Sequence, residues 1–241
     1  MQVSGKSIII TGGTDGIGLR LARQLRAKGA KVTITGRNAA RIESAHAEGF
    51  EVIQADLSSL AGVDGLAAAL TGRDIDILIN NAGAGSDHDF REAAAIDLAD
   101  NDLCLFLNLN APIHLITHVM PMLKSRAEAM IVNVTSGLAI APRSGGPIYC
   151  ASKAGLRSYT LALRAQLQGT KVHVLEALPP VVDTQLTAGR GNKKMSPEDC
   201  AKQIMSAIER NAEEANVGMV KILRAVYSLS PALARAIMIK F

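Results

Sequence analysis

Residues 7–18 read Ser-Ile-Ile-Ile-Thr-Gly-Gly-Thr-Asp-Gly-Ile-Gly, and their order decides the fold. The run Ile8-Ile9-Ile10 lacks polar alternation, as a strand buried on both faces should. Glycines 12, 13, 16 and 18 follow, and apolar residues at three-to-four spacing over 17–28 predict a helix that opens at once. Glycines let the chain turn sharply and let a pyrophosphate approach the backbone. The helix start adds free N–H groups and the positive end of a dipole. The spacing G-x-x-x-G-x-G differs from G-x-G-x-x-G, and no Gly-Lys-Ser/Thr follows, which excludes a P-loop. Taken alone, such a loop is also an ordinary tight strand–helix turn.

Working outward, short β-branched runs alternate with helical patterns. Strands are predicted over 7–11, 31–35, 50–55, 75–79, 129–135 and 171–177, and helices over 17–28, 39–48, 60–70, 98–125 and 149–168. Such alternation implies parallel strands joined by crossover helices. Gly29 and Gly169 stand just past helical patterns, where a left-handed residue ends a helix. Ser196-Pro197-Glu198-Asp199 supplies an N-cap, a first-turn proline and acids, opening a helix to about residue 215. The expected fold is α/β: one doubly wound domain over 1–241 with a mostly parallel sheet.

Composition narrows the class. The chain has 241 residues, 48% hydrophobic and 20% charged, which excludes a disordered or collagen-like polymer. Cysteines 104, 150 and 200 form neither a disulfide framework nor a CxxC pattern. The N-terminal apolar run is too short for a signal peptide, and no stretch reads as ~20 apolar residues, so a cytoplasmic protein is expected. Lys+Arg number 26 against 22 acids, a formal +4. Residues 219–241 hold Lys221, Arg224, Arg235 and Lys240 and no acid, so the whole excess sits in this apolar tail, expected as a strand and turn, then a short helix. That placement removes nucleic acid as a partner. It leaves the tail as a cover for a pocket or an oligomer contact, the preferred reading, or as a peripheral contact with an anionic membrane at its inner face.

The end of the second strand discriminates between cofactors. An acid there would accept from a ribose 2′-OH and repel a 2′-phosphate, but this chain has Thr35-Gly36-Arg37. Arg37 offers a guanidinium fork suited to phosphate, favouring NADP(H) over NAD(H). Asp56, ending the third strand, is placed to accept from an adenine amino group or to cap the next helix.

Tyr149-Cys150-Ala151-Ser152-Lys153 puts a phenol and an ammonium on one helical face. A nearby cation favours phenolate and brings a group of pKa ~10 toward neutral pH. Ser136 ends the fifth strand, and Asn80-Asn81-Ala82-Gly83 ends the fourth.

With these motifs in order over about residues 5–184, the chain resembles the short-chain dehydrogenase/reductase family. It also carries a Pro179-x-x-Val182-x-Thr184 turn. The resemblance implies a Rossmann-type three-layer sandwich, a nicotinamide cofactor and a small-molecule carbonyl or alcohol substrate. It implies that Tyr149 exchanges a proton with the substrate oxygen, Lys153 holds the nicotinamide ribose and Ser136 hydrogen-bonds the carbonyl. Asn108 would hold a water in a proton relay, with Asn110 as the alternative. Cofactor contacts are expected from Gly12, Thr14, Asp15, Gly16, Ile17, Gly18, Arg37, Asp56, Leu57, Asn81, Gly83, Tyr149, Lys153, Val182 and Thr184. A homo-oligomer, dimer or tetramer, is also implied. Pro180 stands where the family has glycine. The Pro-Pro form, with Leu229-Ser230-Pro231, looks like a bacterial subgroup labelled for D-alanine esterification of teichoic acid.

Specificity is expected from segments 84–90, 138–148 and 185–195. In the last, Arg190, Lys193 and Lys194 either attract an anionic substrate or are solvated loop charges, the preferred reading. His114 and His118 are four apart, but no metal site is expected. A regulatory protein that has lost catalysis would lack Ser136, Tyr149 or Lys153, and all are present. An epimerase working through a transient keto form would use the same groups.

Overall fold

The computed structural model describes residues 1–189, 191 and 193–240. Seven strands form one sheet: β1 Ser7–Ile10, β2 Lys31–Gly36, β3 Glu51–Gln54, β4 Ile77–Asn80, β5 Ala129–Val134, β6 Val172–Leu178 and β7 Glu214–Asn216. Their order is β3-β2-β1-β4-β5-β6-β7, and every pairing is parallel. Helices α1 Gly16–Ala27, α2 Ala39–Ala47, α3 Leu60–Leu70, α4 Leu98–Leu105, α5 Ala111–Lys124, α6 Pro147–Gln166 and α7 Pro197–Glu209 make the crossovers. Two further helices follow, α8 Val220–Leu229 and α9 Pro231–Met238.

The apolar runs bury both faces. Ile8 and Ile10 join one core with Leu21 and Leu25 of α1 and Ile204 and Ile208 of α7. Ile9 joins the opposite core, with Val63 and Leu66 of α3 and Leu115 and Val119 of α5. Each such side chain contributes roughly 1.5–3 kcal/mol by leaving water. This is a three-layer sandwich.

Helix ends follow the local chemistry. Gly29 (φ +82°) and Gly169 (φ +76°) take the left-handed conformation, and Ser196 Oγ accepts from the Asp199 N–H at 3.0 Å. Three expectations need correction. The helix from Pro197 stops at Glu209 rather than near 215, because Asn211 turns left-handed at φ +52°. The strand β7 then forms at 214–216, from a Glu-Ala-Asn triplet with no β-branched residue to announce it. Among the described residues the tail holds no strand: Val220–Leu229 form α8 and Pro231–Met238 form α9. Helices α4 and α5, joined by a π-type turn at Phe106–Asn110, make a continuous 27-residue helix long and apolar enough to cross a membrane. Contrary to the sequence reading, then, one stretch has that length, but its Leu115, Ile116, Val119 and Leu123 are buried in the core against the sheet.

Strand order reverses between β1 and β4. The C-terminal ends of these strands part there, and this is where a doubly wound sheet forms its crevice.

Candidate active site

A cleft of about 710 Å³ opens at that edge. The glycine loop forms its floor. Gly12 sits at φ +62°, and a Cβ there would lie 2.9 Å from Ala82 Cα. A Cβ at Gly18 would lie 2.5 Å from both Gly12 O and Asn81 Nδ2. Asn81 explains this crowding, since its Nδ2 donates to Thr11 O (3.0 Å) and Gly12 O (3.1 Å). Thr11 Oγ1 in turn accepts from the N–H groups of Asn81 and Ala82, both at 3.0 Å. Thus the ends of β1 and β4 are stitched together. Gly12, Thr14, Asp15, Gly16 and Ile17 line the cleft, whereas Gly18 packs beneath the loop.

The loop fits a dinucleotide on a further count. Asn38 and Ser59 side chains cap α2 and α3, but Asp15 makes no side-chain cap to α1, and the first turn of α1 has no acid. Its leading N–H groups therefore remain for a ligand's phosphates.

At the end of the cleft beside β2 and β3, Arg37 Nη1 lies 3.6 Å from Asp56 Oδ1. Burial works to raise the Asp56 pKa, but hydrogen bonds from Ser58 and the Arg37 charge outweigh it and hold the carboxyl below its ordinary value. Leu57 is buried beside it and lines the cleft. A Cβ at Gly36 would lie 2.6 Å from Thr14 Oγ1, so glycine is required there for packing as well as for charge. Arg41 also lines this end, with Nη1 3.1 Å from Asp15 Oδ2 and a hydrogen bond to Gln185. Sequence reasoning missed Arg41, for which the available signal was a base four residues beyond Arg37.

At the other end Ser136, Tyr149 and Lys153 line one wall. Lys153 Nζ is 5.9 Å from the Tyr149 ring centroid and donates to Val134 O at 2.9 Å. Burial pushes the lysine pKa down to about 8. Ser136 caps the turn Gly137–Ala139, with its Oγ accepting from the Leu138 N–H at 3.1 Å.

The two asparagines separate cleanly. Asn110 is exposed, while Asn108, on the π-type turn, is fully buried. Asn108 Oδ1 accepts from Ala84 N (3.0 Å), and its Nδ2 donates to Ala84 O (2.9 Å) and Ser152 Oγ (3.0 Å). Ser152 Oγ donates on to Tyr149 O at 2.8 Å. A Cβ at Gly83 would lie 2.8 Å from Asn108 Oδ1 and 3.5 Å from Lys153 Nζ. Asn108 therefore stands behind Gly83, one layer from the cleft. Ser152 was not singled out from the sequence.

Val182 and Thr184 line the wall after β6, with Pro179 and Pro180. Thr184 Cγ2 would lie 3.1 Å from a Cβ at Gly16, so the cleft is narrow there. Pro180 packs toward Gly218.

A family model of short chain dehydrogenases matches residues 6–195. The chain belongs to the short-chain dehydrogenase family. It is similar to an uncharacterized oxidoreductase, DltE, of Bacillus subtilis, at 35% identity over 93% of this chain and 92% of that one. A serine 3-dehydrogenase of Agrobacterium fabrum is 35% identical over 79% of this chain and 78% of its own. Among solved structures, a short chain dehydrogenase from Burkholderia cenocepacia in complex with NADP superposes with a TM-score of 0.88 at 25% identity, covering 100% of both chains. This short-chain dehydrogenase is an oxidoreductase.

The three segments expected to set the dehydrogenase's specificity are tied down unequally. Arg143 pairs with Asp87, joining 138–148 to 84–90. His88 Nε2 lies 3.1 Å from Asp100 Oδ2. Lys194 Nζ donates to Thr187 O at 2.7 Å, inside its own segment, and Lys193 is exposed; Arg190 lies outside the described residues. In α8 Val220 and Leu223 pack on Gly137, next to Ser136, and Ser144 N donates to Ile239 O at 3.2 Å. His118 Nε2 faces Asp64 at 3.1 Å, while the His114 ring packs edge-on against Phe106.

Proposed function

We propose that this oxidoreductase is an NADP(H)-dependent carbonyl reductase or alcohol dehydrogenase, with Tyr149 as its acid/base. It binds a nicotinamide dinucleotide and acts on a small molecule. The observation that carries the reading is the meeting of Ser136, Tyr149 and Lys153 on one wall of the cleft that begins at the glycine loop.

When bound, the nicotinamide supplies or accepts the hydride. The Leu138 N–H occupies an acceptor site of Ser136 Oγ, so the serine hydroxyl proton serves a substrate oxygen. Tyr149 gives that oxygen its proton in reduction and takes it back in oxidation. The Lys153 ammonium favours the phenolate and balances the charge that develops, a preorganised arrangement of the kind that lowers barriers most. Asn108, beside Lys153 and fixed through Ala84 and Ser152, orders the relay to solvent. Arg37 takes the 2′-phosphate, Asp56 and Leu57 hold the adenine side, and Val182 and Thr184 the nicotinamide side.

A panel of ketones, aldehydes and alcohols, L-serine included, read by nicotinamide absorbance with both cofactors, tests the reading. Turnover that survives intact in Tyr149→Phe would end the tyrosine assignment. Arg37→Asp is expected to weaken NADPH far more than NADH, and equal losses would refute the phosphate role.

Residues 1–241 act as one nucleotide-binding unit in the cytoplasm, and the tail 219–241 covers the substrate side. Packing of Val220 and Leu223 on Gly137 supports the cover. Exposed Met219, Ile222, Leu229 and Leu233 suit a homo-oligomer contact. Light scattering tests the assembly, and liposome cosedimentation tests the competing membrane contact of the tail.

A further inference from the structure

Two arginines and two aspartates surround the adenosine end of the cleft. Arg37 Nη1 lies 3.6 Å from Asp56 Oδ1, Arg41 Nη1 lies 3.1 Å from Asp15 Oδ2, and Arg41 Nη2 also donates to Gln185 Oε1. All five residues line the cleft. The paired side chains are 38–62% exposed, so each contact is screened by water and holds weakly.

We propose that Arg41 is a second specificity-determining residue for a 2′-phosphorylated dinucleotide, and that Asp15 and Asp56 are resident competitors which the phosphate displaces. This inference rests on the NADP(H) reading and deepens it.

The placement of Arg41 is built rather than incidental. Its backbone N–H donates to the Asn38 side chain at 3.0 Å, which fixes it in the first turn of α2, four residues after Arg37. From there its guanidinium reaches Asp15 in the glycine loop and Gln185 beyond β6, spanning the adenosine end of the cleft.

A phosphomonoester carries about −1.5 to −2 charge at pH 7 with three acceptor oxygens, and it matches guanidinium forks bidentately. Two arginines lining one cleft can both turn to it, and each exchanges one exposed carboxylate for a more strongly charged partner. A ribose hydroxyl offers no such exchange, so with NADH both guanidiniums stay with their aspartates. The acids therefore sharpen discrimination. They hold the arginines at the cleft and withhold them from the unphosphorylated cofactor. Loss of Arg41 would also leave the Asp15 carboxylate unneutralised beside the phosphate, adding repulsion to the lost contact.

Isothermal titration of the full chain with 2′,5′-ADP and with 5′-AMP reads this end of the site without any substrate. Wild type is expected to bind 2′,5′-ADP the more tightly. Arg41→Gln is expected to lose about tenfold or more for 2′,5′-ADP while 5′-AMP changes by less than about twofold, as for loss of one charge-assisted contact. Arg41→Lys, which keeps the charge without the fork, should recover part of the loss.

If Arg37→Asp weakens 2′,5′-ADP but Arg41→Gln does not, the inference fails while the NADP(H) reading stands. Equal losses for both ligands in Arg41→Gln would reduce Arg41 to a structural contact and also overturn it. A wild type that does not prefer 2′,5′-ADP removes the NADP(H) reading and this inference with it.

Discussion

Lys153 Nζ donates to the backbone carbonyl of Val134 at 2.9 Å, tying the ammonium of α6 to the last residue of the strand that delivers Ser136. Lysine, tyrosine and serine thus meet on one wall from two different elements.

The chemistry is expected to collapse when the phenol is removed. Tyr149→Phe should lower turnover by about 10²–10⁴-fold, the usual worth of a positioned acid/base. NADPH binding, followed by cofactor fluorescence, should persist. Full activity in that variant would exclude Tyr149 from proton transfer.

Lys153 makes stability depend on pH in a defined sense. Burial lowers its pKa from the ordinary 10.5 to about 8. Between those values the unfolded chain binds more protons than the folded one, so this group's contribution to stability rises with pH across that window. Its cost is fully present below about pH 8. Cys200, whose buried thiol is pushed up to about 12, and Tyr159, also raised by burial, act in the opposite sense at alkaline pH. Urea denaturation of wild type against Lys153→Met isolates the lysine. A difference between them that stays constant from pH 7 to 11, a span chosen as a rough bracket of both values, would contradict the lowered pKa. Turnover should also fall as the ammonium is lost above about pH 8.

Asn108 and Asn110 should respond oppositely to truncation. Asn108→Ala removes the amide that holds the half-buried Ala84 N–H and C=O, at about 1–3 kcal/mol. Asn110→Ala, at an exposed position, should stay within about 0.5 kcal/mol. Thermal melts with turnover measurements decide between them. Equal behaviour of the two variants would argue against the buried asparagine as the relay residue.

Glu176 is fully buried in β6. Its carboxylate accepts from Thr135 Oγ1 at 2.7 Å and pairs with Arg157, which also reaches Glu214 at 2.9 Å. Burial raises the Glu176 pKa, against the opposing pull of Thr135 and Arg157. Arg157→Leu strands that carboxylate and should cost about 3–5 kcal/mol in urea unfolding. Combining it with Glu176→Leu should recover much of the loss. A double variant less stable than Arg157→Leu alone would show that the pair, rather than the stranded charge, is what stabilises.

Six of the seven strands were legible from their β-branched runs, five of them mostly buried and β3 partly exposed, and the glycine loop because its residues need backbone freedom that few others have. β7 was not legible. Glu214-Ala215-Asn216 has no strand propensity of its own and is a strand only because β6 offers an open edge. The tail misled for a related reason. Its apolar residues are exposed in part and its helix α8 packs on Gly137 and Ile140, partners far away in the chain.

The sequence by itself determined the alternation of strands and helices, the glycine loop at the first strand's end and the one-turn spacing of Tyr149 and Lys153. These are local properties, carried by periodicity and by residue types within a few positions of one another. Tertiary structure alone decided that Asn108 rather than Asn110 stands behind Gly83, that Asn81 spends its amide on the glycine loop, and that Gly18 lies beneath the cleft instead of lining it. It alone brought Arg41 to the same end of the cleft as Arg37, with Asp15 and Gln185. Each of those outcomes depends on which carbonyl or carboxylate comes within about 3 Å, the range of a hydrogen bond. That distance is fixed by how β1, β4 and β6 pack side by side, and no spacing along the chain encodes it.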